Sequence, residues 1–160
     1  MTATSLQFRM PAPAVSTVSV RPVRPEDAQT LLRLAQAHAR ASGDVATAWT
    51  DLLEFNEALF EAPVRAWAWL AFVGEEAVGH AVATVGFSLR ARGYCLYLDV
   101  LHARDEWAHD AEAALFDQVR AMARRLGCVQ LQWHGPRDGG WRFDAFDVRQ
   151  DGVRHVLSFA

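Results

Sequence analysis

Residues 91–134, ARGYCLYLDVLHARDEWAHDAEAALFDQVRAMARRLGCVQLQWH, place an apolar run on either side of a long segment with helical periodicity. From about Tyr94 to His102 the chain reads as a strand, with turn material at Arg92 and Gly93 before it. From Asp105 to Leu126, the apolar positions Ala108, Ala111, Leu115, Val119, Met122 and Leu126 step by three and four. This spacing predicts one face of a helix, and Gly127 supplies its cap. VQLQWH, residues 129–134, then reads as a second strand. Strand, helix, strand is the signature of a parallel crossover unit, because parallel neighbours need a long connection between them.

Upstream of this unit, VSVRPV (residues 18–23) alternates β-branched residues and predicts a strand that Pro25 ends. Glu26 and Asp27 favour a helix N-terminus, and Leu31, Leu32, Leu34, Ala35 and His38 recur at helical spacing, so residues 26–41 read as an amphipathic helix closed by Gly43. A second helix starts near Thr50, carries Leu52, Leu53, Phe55, Leu59 and Phe60, and stops at Pro63. WAWLAFVGEEAVGHAVATVGFSL (residues 67–89) reads as two strands joined at Gly74, Glu75 and Glu76. With the strand from Tyr94, this makes an antiparallel meander. Downstream, Asp151 and Gly152 form a DG turn before a last strand over residues 153–159. There is no internal repeat and no low-complexity region.

The 160 residues suit one domain with a substantial core, expected over residues 18–160 behind a mobile leader at 1–17. About half the residues are apolar and the formal net charge is -3, which argues against a broad nucleic-acid-binding surface. All 16 basic residues are arginine, so a Schiff-base lysine and a Walker-type phosphate lysine are excluded. Cys95 and Cys128 lie in apolar strand-like surroundings without metal or redox spacing and read as buried thiols of a reducing compartment. The first residues hold no apolar run long enough for a signal peptide or a membrane span, so the expected location is cytoplasmic.

The opening VSVRPVRPEDAQTLLRLA, the glycine-punctuated EEAVGHAVATV, the LYLDVL strand and the ALFDQVRAMARRLGCVQLQW helix and strand together resemble the GNAT superfamily of acyl-coenzyme-A-dependent N-acetyltransferases. They cover most of residues 18–134. The resemblance implies an α/β (α+β) fold, with a mixed, mainly antiparallel sheet whose central parallel strand pair is flanked by helices. It also implies acetyl-CoA as cosubstrate and acetyl transfer to a small amine or an exposed amino group. Family members often pair, so the resemblance makes a homodimer an expectation, as does a final strand that a neighbour could cover.

In that family the loop after the LYLDVL-like strand carries an arginine or glutamine and two small positions, where glycines let backbone N–H groups approach the pyrophosphate at a helix N-terminus. Here one register puts Trp107 at the basic or amide position and Asp110 and Glu112 at the small ones. Sliding by one residue puts Glu106, His109 and Ala111 there instead. Neither register supplies a glycine, and Asp105, Glu106, Asp110 and Glu112 would face a dianion, unless they are solvated charges that point away. The cofactor-binding candidates are therefore Trp107, Ala108, His109, Asp110 and Ala111, in a loop expected to have become partly helical. Val100, Leu101 and His102 join them, as backbone that could pair with the pantetheine arm like an added strand. The family's asparagine and Phe-Tyr pair are also missing: the matching region, GGWRFDAF, has Asp144 after Phe143.

Acyl transfer onto an amine needs a base to strip a proton from the ammonium acceptor. The resemblance places the chemistry where the parallel strands part, and there Asp99, His102 and His134 could converge. Asp99 and His134 are the catalytic candidates. Each has a plainer reading, His134 as a strand-end histidine bonded to backbone and Asp99 as a structural carboxylate. His102, Asp105 and His109 have no recognised ligand spacing, so no metal is expected. No serine sits in a nucleophile elbow, which argues against a Ser-His-Asp hydrolase. Trp67 and Trp69 share a strand face, and most of the six tryptophans are expected in the core. The competing reading is a non-catalytic GNAT-fold module that has lost coenzyme A binding.

Overall fold

The crossover helix packs across one face of a single mixed sheet, and two shorter helices cover part of the other face. The computed structural model describes residues 17–42, 52–134, 148–151 and 154–159. Among these, the strands are β1 (Val18–Pro22), β2 (Ala66–Val73), β3 (Glu76–Ser88), β4 (Gly93–Ala103), β5 (Gln130–His134), β6 (Val148–Asp151) and β7 (Arg154–Ser158). The helices are α1 (Ala28–Ala41), α2 (Leu52–Phe60) and α3 (Ala108–Arg125). The seven strands lie in the order β1-β2-β3-β4-β5-β7-β6. Every neighbouring pair is antiparallel except β4 and β5, which α3 connects in parallel. The fold expected from the 91–134 segment is thus the one observed.

α3 buries Ala111, Leu115, Phe116, Val119, Met122 and Ala123. These face Ala81, Ala83, Leu96, Leu98, Leu101, Leu131 and Trp133 of the sheet in the larger core. The expected stripe included Ala108 and Leu126, but Ala108 is only half-buried and Leu126 is 38% exposed. Leu126 is the C-cap, where the chain turns away at Gly127 with φ 67°, while Phe116 and Ala123 widen the stripe in phase with the helix. Complete burial of a side chain such as Phe116 or Leu115 stabilises the fold by about 1.5–3 kcal/mol. Trp69 and Trp133 belong to this core, and Trp67 and Trp107 pack on it partly buried; Trp49 and Trp141 lie outside the described residues.

On the opposite face, Leu31 of α1 and Leu59 of α2 pack with Ala66, Ala68 and Leu70 of β2. α1 begins two residues later than its sequence pattern suggests, because Pro25–Asp27 forms a 3-10 turn. The Asp27 carboxylate accepts bonds from both Arg21 terminal nitrogens at 2.6 and 2.9 Å, and from the Arg24 backbone N–H at 2.9 Å. The Arg21 guanidinium holds the Asp27 carboxyl below its usual range, so β1 is tied to the start of α1. Thr50 and Gly43, expected at the ends of the first two helices, lie outside the described residues.

β3 and β4 approach closely at Gly79, where a Cβ would stand 2.8 Å from Ala103 Cβ and 2.9 Å from the His102 carbonyl oxygen. Only glycine fits there without displacing β4. Cys95 and Cys128 are free and buried, and burial pushes both thiols up from their ordinary range. β6, which pairs antiparallel with β7, is a strand that the sequence pattern left unassigned, since VRQD shows no apolar alternation; Gly152 of the expected DG turn lies outside the described residues. Among the described residues no helix is long and apolar enough to cross a membrane.

Candidate functional site

The parallel strands pair over only a short length: Cys95 with Gln130, Leu96 with Leu131, Tyr97 with Gln132 and Leu98 with Trp133. β4 then continues to Ala103 while β5 ends at His134. Beyond Leu98, residues 99–103 of β4 have no strand on their β5 side among the described residues. The point of separation coincides with an irregularity on the other side of β4, where Val82 pairs with Val100 but Ala83 pairs with Leu98. Asp99 is the extra residue. A bulge of this kind re-aims one side chain, and it turns Asp99 outward from an otherwise apolar strand. This accounts physically for a carboxylate in that position.

A pocket of about 190 Å³ opens at the separation, lined by Tyr97, Leu98, Asp99, Gln132, Trp133, His134 and Arg154. Asp99 and His134 therefore line one concavity, although they come from different strands. His102 is not part of it. Its ring stacks on His38 of α1 at 4.0 Å between centroids and 26° between planes, and it meets His80 edge-on at 6.1 Å. His80 is wholly buried, and neither ring nitrogen has a hydrogen-bond partner among the described residues. Burial, reinforced by His102 and His38, pushes His80 down to about 3. Burial likewise lowers His102, partly countered by Asp105.

The backbone of β4 offers a narrower edge than Val100, Leu101 and His102 together. The Arg104 N–H donates to the Val78 carbonyl of β3 at 2.9 Å, and Val100 and His102 oppose Val82 and His80. Peptide direction alternates along a strand, so of those three residues only Leu101 turns its N–H and C=O to the open side, as does Ala103. The Ala103 donor is already engaged. Glu112, half-buried on the second turn of α3, accepts a hydrogen bond from the Ala103 backbone, while burial raises its carboxyl overall.

Between β4 and α3 the chain forms a 3-10 turn over Asp105–Trp107 instead of an open loop. The Trp107 N–H donates to the Arg104 carbonyl at 2.8 Å, and the Ala108 N–H to that of Asp105. Both are therefore engaged within the turn. Trp107 packs its indole on the large core, Ala111 is buried in it, and His109 and Asp110 are exposed. Asp105 and Glu106 are also exposed, and Arg104 pairs with Glu76 at 2.9 Å and with Glu106 at 3.5 Å. Of the acidic side chains in this stretch, Glu112 alone is turned inward.

A second pocket, of about 330 Å³, adjoins the first and shares Gln132 and Arg154 with it; its other lining residues are Ser88, Arg90, Ala91, Gln130, Arg149 and Val156. Sequence reading overlooked this polar surface. Its signal lies in VQLQWH, where Gln130 and Gln132 alternate with the buried Leu131 and Trp133 and so face the other way. No group of three or more His, Cys, Asp or Glu side chains that could hold a metal ion occurs among the described residues, His102, Asp105 and His109 included. The segment GGWRFDAF lies outside the described residues.

No protein-family model matches the sequence, and no curated protein does. Solved structures with the same architecture do exist. A predicted acetyltransferase with acetyl-CoA from Clostridium acetobutylicum is 12% identical, with 85% of this chain and 92% of that one covered at a TM-score of 0.70. An acetyltransferase from Thermus thermophilus is 22% identical, with 89% and 97% covered at 0.64. An aminoglycoside acetyltransferase from an uncultured soil metagenomic sample, solved with sisomicin, is 11% identical, with 80% and 84% covered at 0.65. With its parallel pair opening beyond Leu98 and Trp133, the chain has the GNAT acetyltransferase fold.

Proposed function

We propose that this chain is an N-acyltransferase that moves an acetyl group from acetyl-CoA to the amino group of a small molecule or an exposed peptide amine. The observation that carries this reading is the pocket at the point where β4 and β5 part, with the bulged Asp99 on one side and His134 on the other. Either side chain can take the proton from an ammonium acceptor, leaving the nitrogen lone pair free to attack. Tyr97 is the one hydroxyl among the described lining residues, and it is the candidate to return a proton to the leaving thiolate. When bound, acetyl-CoA supplies the activated thioester carbonyl. The backbone N–H and C=O of Leu101 would hold the pantetheine arm as a neighbouring strand would.

The pyrophosphate end fits less well. There is no glycine at the start of α3, the 3-10 turn engages two N–H groups internally, and Glu112 takes the Ala103 donor. These observations favour the second reading, a GNAT-fold binding module that has lost coenzyme A. Titration calorimetry with acetyl-CoA, followed by thiol release with a panel of amines, separates the two. Saturable binding and amine-dependent thiol release are expected of the enzyme. Absence of heat at millimolar acetyl-CoA would leave the binding module standing.

A further inference from the structure

We propose that the acceptor is a small amine that also carries an anionic group, a carboxylate or a phosphate, held in the pocket next to Asp99 and His134. This deepens the acyltransferase reading and rests on it. Three arginines, Arg90, Arg149 and Arg154, line that second pocket, and its described lining contains no carboxylate. The whole chain carries a net charge of -3, so three arginines in one lining are a local departure from its overall balance. Guanidinium groups present planar, paired donors that match carboxylate and phosphate oxygens. Arg154 also lines the Asp99 pocket, so the anion site and the proposed proton acceptors share a wall.

Gln132 joins the two pockets. It is 4% exposed and lines both pockets. Its Nε2 donates to Gln130 Oε1 at 2.8 Å, while its own Oε1 has no partner among the described residues. That oxygen is closed off from solvent, so the ammonium of the acceptor is assigned to Asp99 and His134, which line the pocket that Gln132 shares. Arginines in one pocket and the Asp99 carboxylate in the pocket that adjoins it are complementary to a molecule with its anion and its ammonium a few bonds apart. The same charges oppose a polycation, so the acceptor differs in kind from the sisomicin bound by the soil-metagenome acetyltransferase.

Matched amines test this with the full chain and acetyl-CoA: O-phosphoethanolamine against ethanolamine, β-alanine against its amide, and spermidine as a polycation. The anionic member of at least one pair is expected to show kcat/KM at least tenfold above its neutral partner, with the larger ratio identifying phosphate or carboxylate as the anion. Spermidine is expected to be the poorest. Arg149→Gln and Arg154→Gln should each raise KM for the anionic amine about tenfold with kcat little changed, a split that general misfolding would not produce. Equal or better turnover of the neutral amines, or a preference untouched by both substitutions, overturns the proposal. If no amine releases thiol, calorimetry with O-phosphoethanolamine and ethanolamine decides separately. Binding of the phosphate compound alone, lost in Arg149→Gln, sustains the anion pocket while the acyltransferase reading fails; equal or absent binding of both sinks the pocket as well.

Discussion

At the Asp99 end of the open β4 edge, a bulge turns a carboxylate out of the strand, and β5 and β7 bring His134, Gln132 and Arg154 to the same concavity. At the Ala103 end, a few residues on, Glu112 has turned in to take a backbone donor, and the chain winds directly into a 3-10 turn and α3. The first region gathers groups that can exchange protons and bind charge. The second satisfies itself: its N–H groups bond to its own carbonyls, and its inward acid occupies the edge. The two halves of one cleft are thus under separate physical control. Strand register and a bulge build the first, and the winding of a helix start decides the second.

The largest expected effect tests the first region. Asp99→Asn and His134→Ala are expected to lower kcat by about 10²–10⁴ for whichever residue is the base, with smaller loss for the other. Single-turnover thiol release with saturating amine measures this. If both variants and their double retain the rate, the pocket contributes no proton transfer and the contrast collapses.

The next effect concerns the frame that holds the two regions apart. His80 lies beneath His102 with a folded value of about 3, far below the 6.5 of an exposed histidine. Above pH 6.5 both folded and unfolded chains keep it neutral, and it contributes no pH dependence. As pH falls from 6.5 towards 3, the unfolded chain binds the proton first, so stability declines by about 1.4 kcal/mol per pH unit from this residue alone. His102, lowered in the same direction, adds to the decline. Urea denaturation between pH 7 and 4 is expected to show this slope, and His80→Leu to flatten it. An unchanged slope in that variant would show that the buried histidine does not govern acid stability.

A smaller effect sharpens the second region. If Glu112 competes for the edge and repels the pyrophosphate, Glu112→Ala should tighten acetyl-CoA binding about tenfold, roughly 1.4 kcal/mol. Asp110→Gly should do less, because Asp110 is exposed and screened. Equal responses to the two changes would mean that charge matters there and the occupied Ala103 donor does not. The smallest expected change lies outside both regions. Asp27→Asn weakens the Arg21 and Arg24 bonds and should lower stability by about 1 kcal/mol. The Asp27 carboxyl is held low by Arg21, so its contribution is present at neutral pH and is lost as pH falls through its folded value.

Much of the frame was legible. Leu115, Val119 and Met122 fall at one helical phase, and the apolar runs on either side left the crossover as the simplest connection. Asp99 stood out because a carboxylate rarely sits inside an apolar strand. The reason it can, a bulge opposite Val82 and Ala83, was not legible, because a bulge is a mismatch between two strands and appears in neither alone. Asp110 and Glu112 look alike in sequence. They differ because positions two apart on a helix point in different directions, and only Glu112 turns back towards the end of β4. His102, grouped in sequence with the chemistry, is instead held by His38, a residue far away along the chain.

Apolar spacing alone sets out the elements other than β6, their order and most of the face each buries, because backbone geometry repeats every 3.6 or 2 residues and hydrophobic spacing reports that repeat directly. Only the tertiary structure decided where the parallel pairing stops, which peptide groups are left open on β4, and that Gln132 and Arg154 wall the same space as Asp99 and His134. Those features depend on register between strands distant in sequence, set by packing against α3 and by the close approach at Gly79, and no local pattern encodes a distance across a sheet.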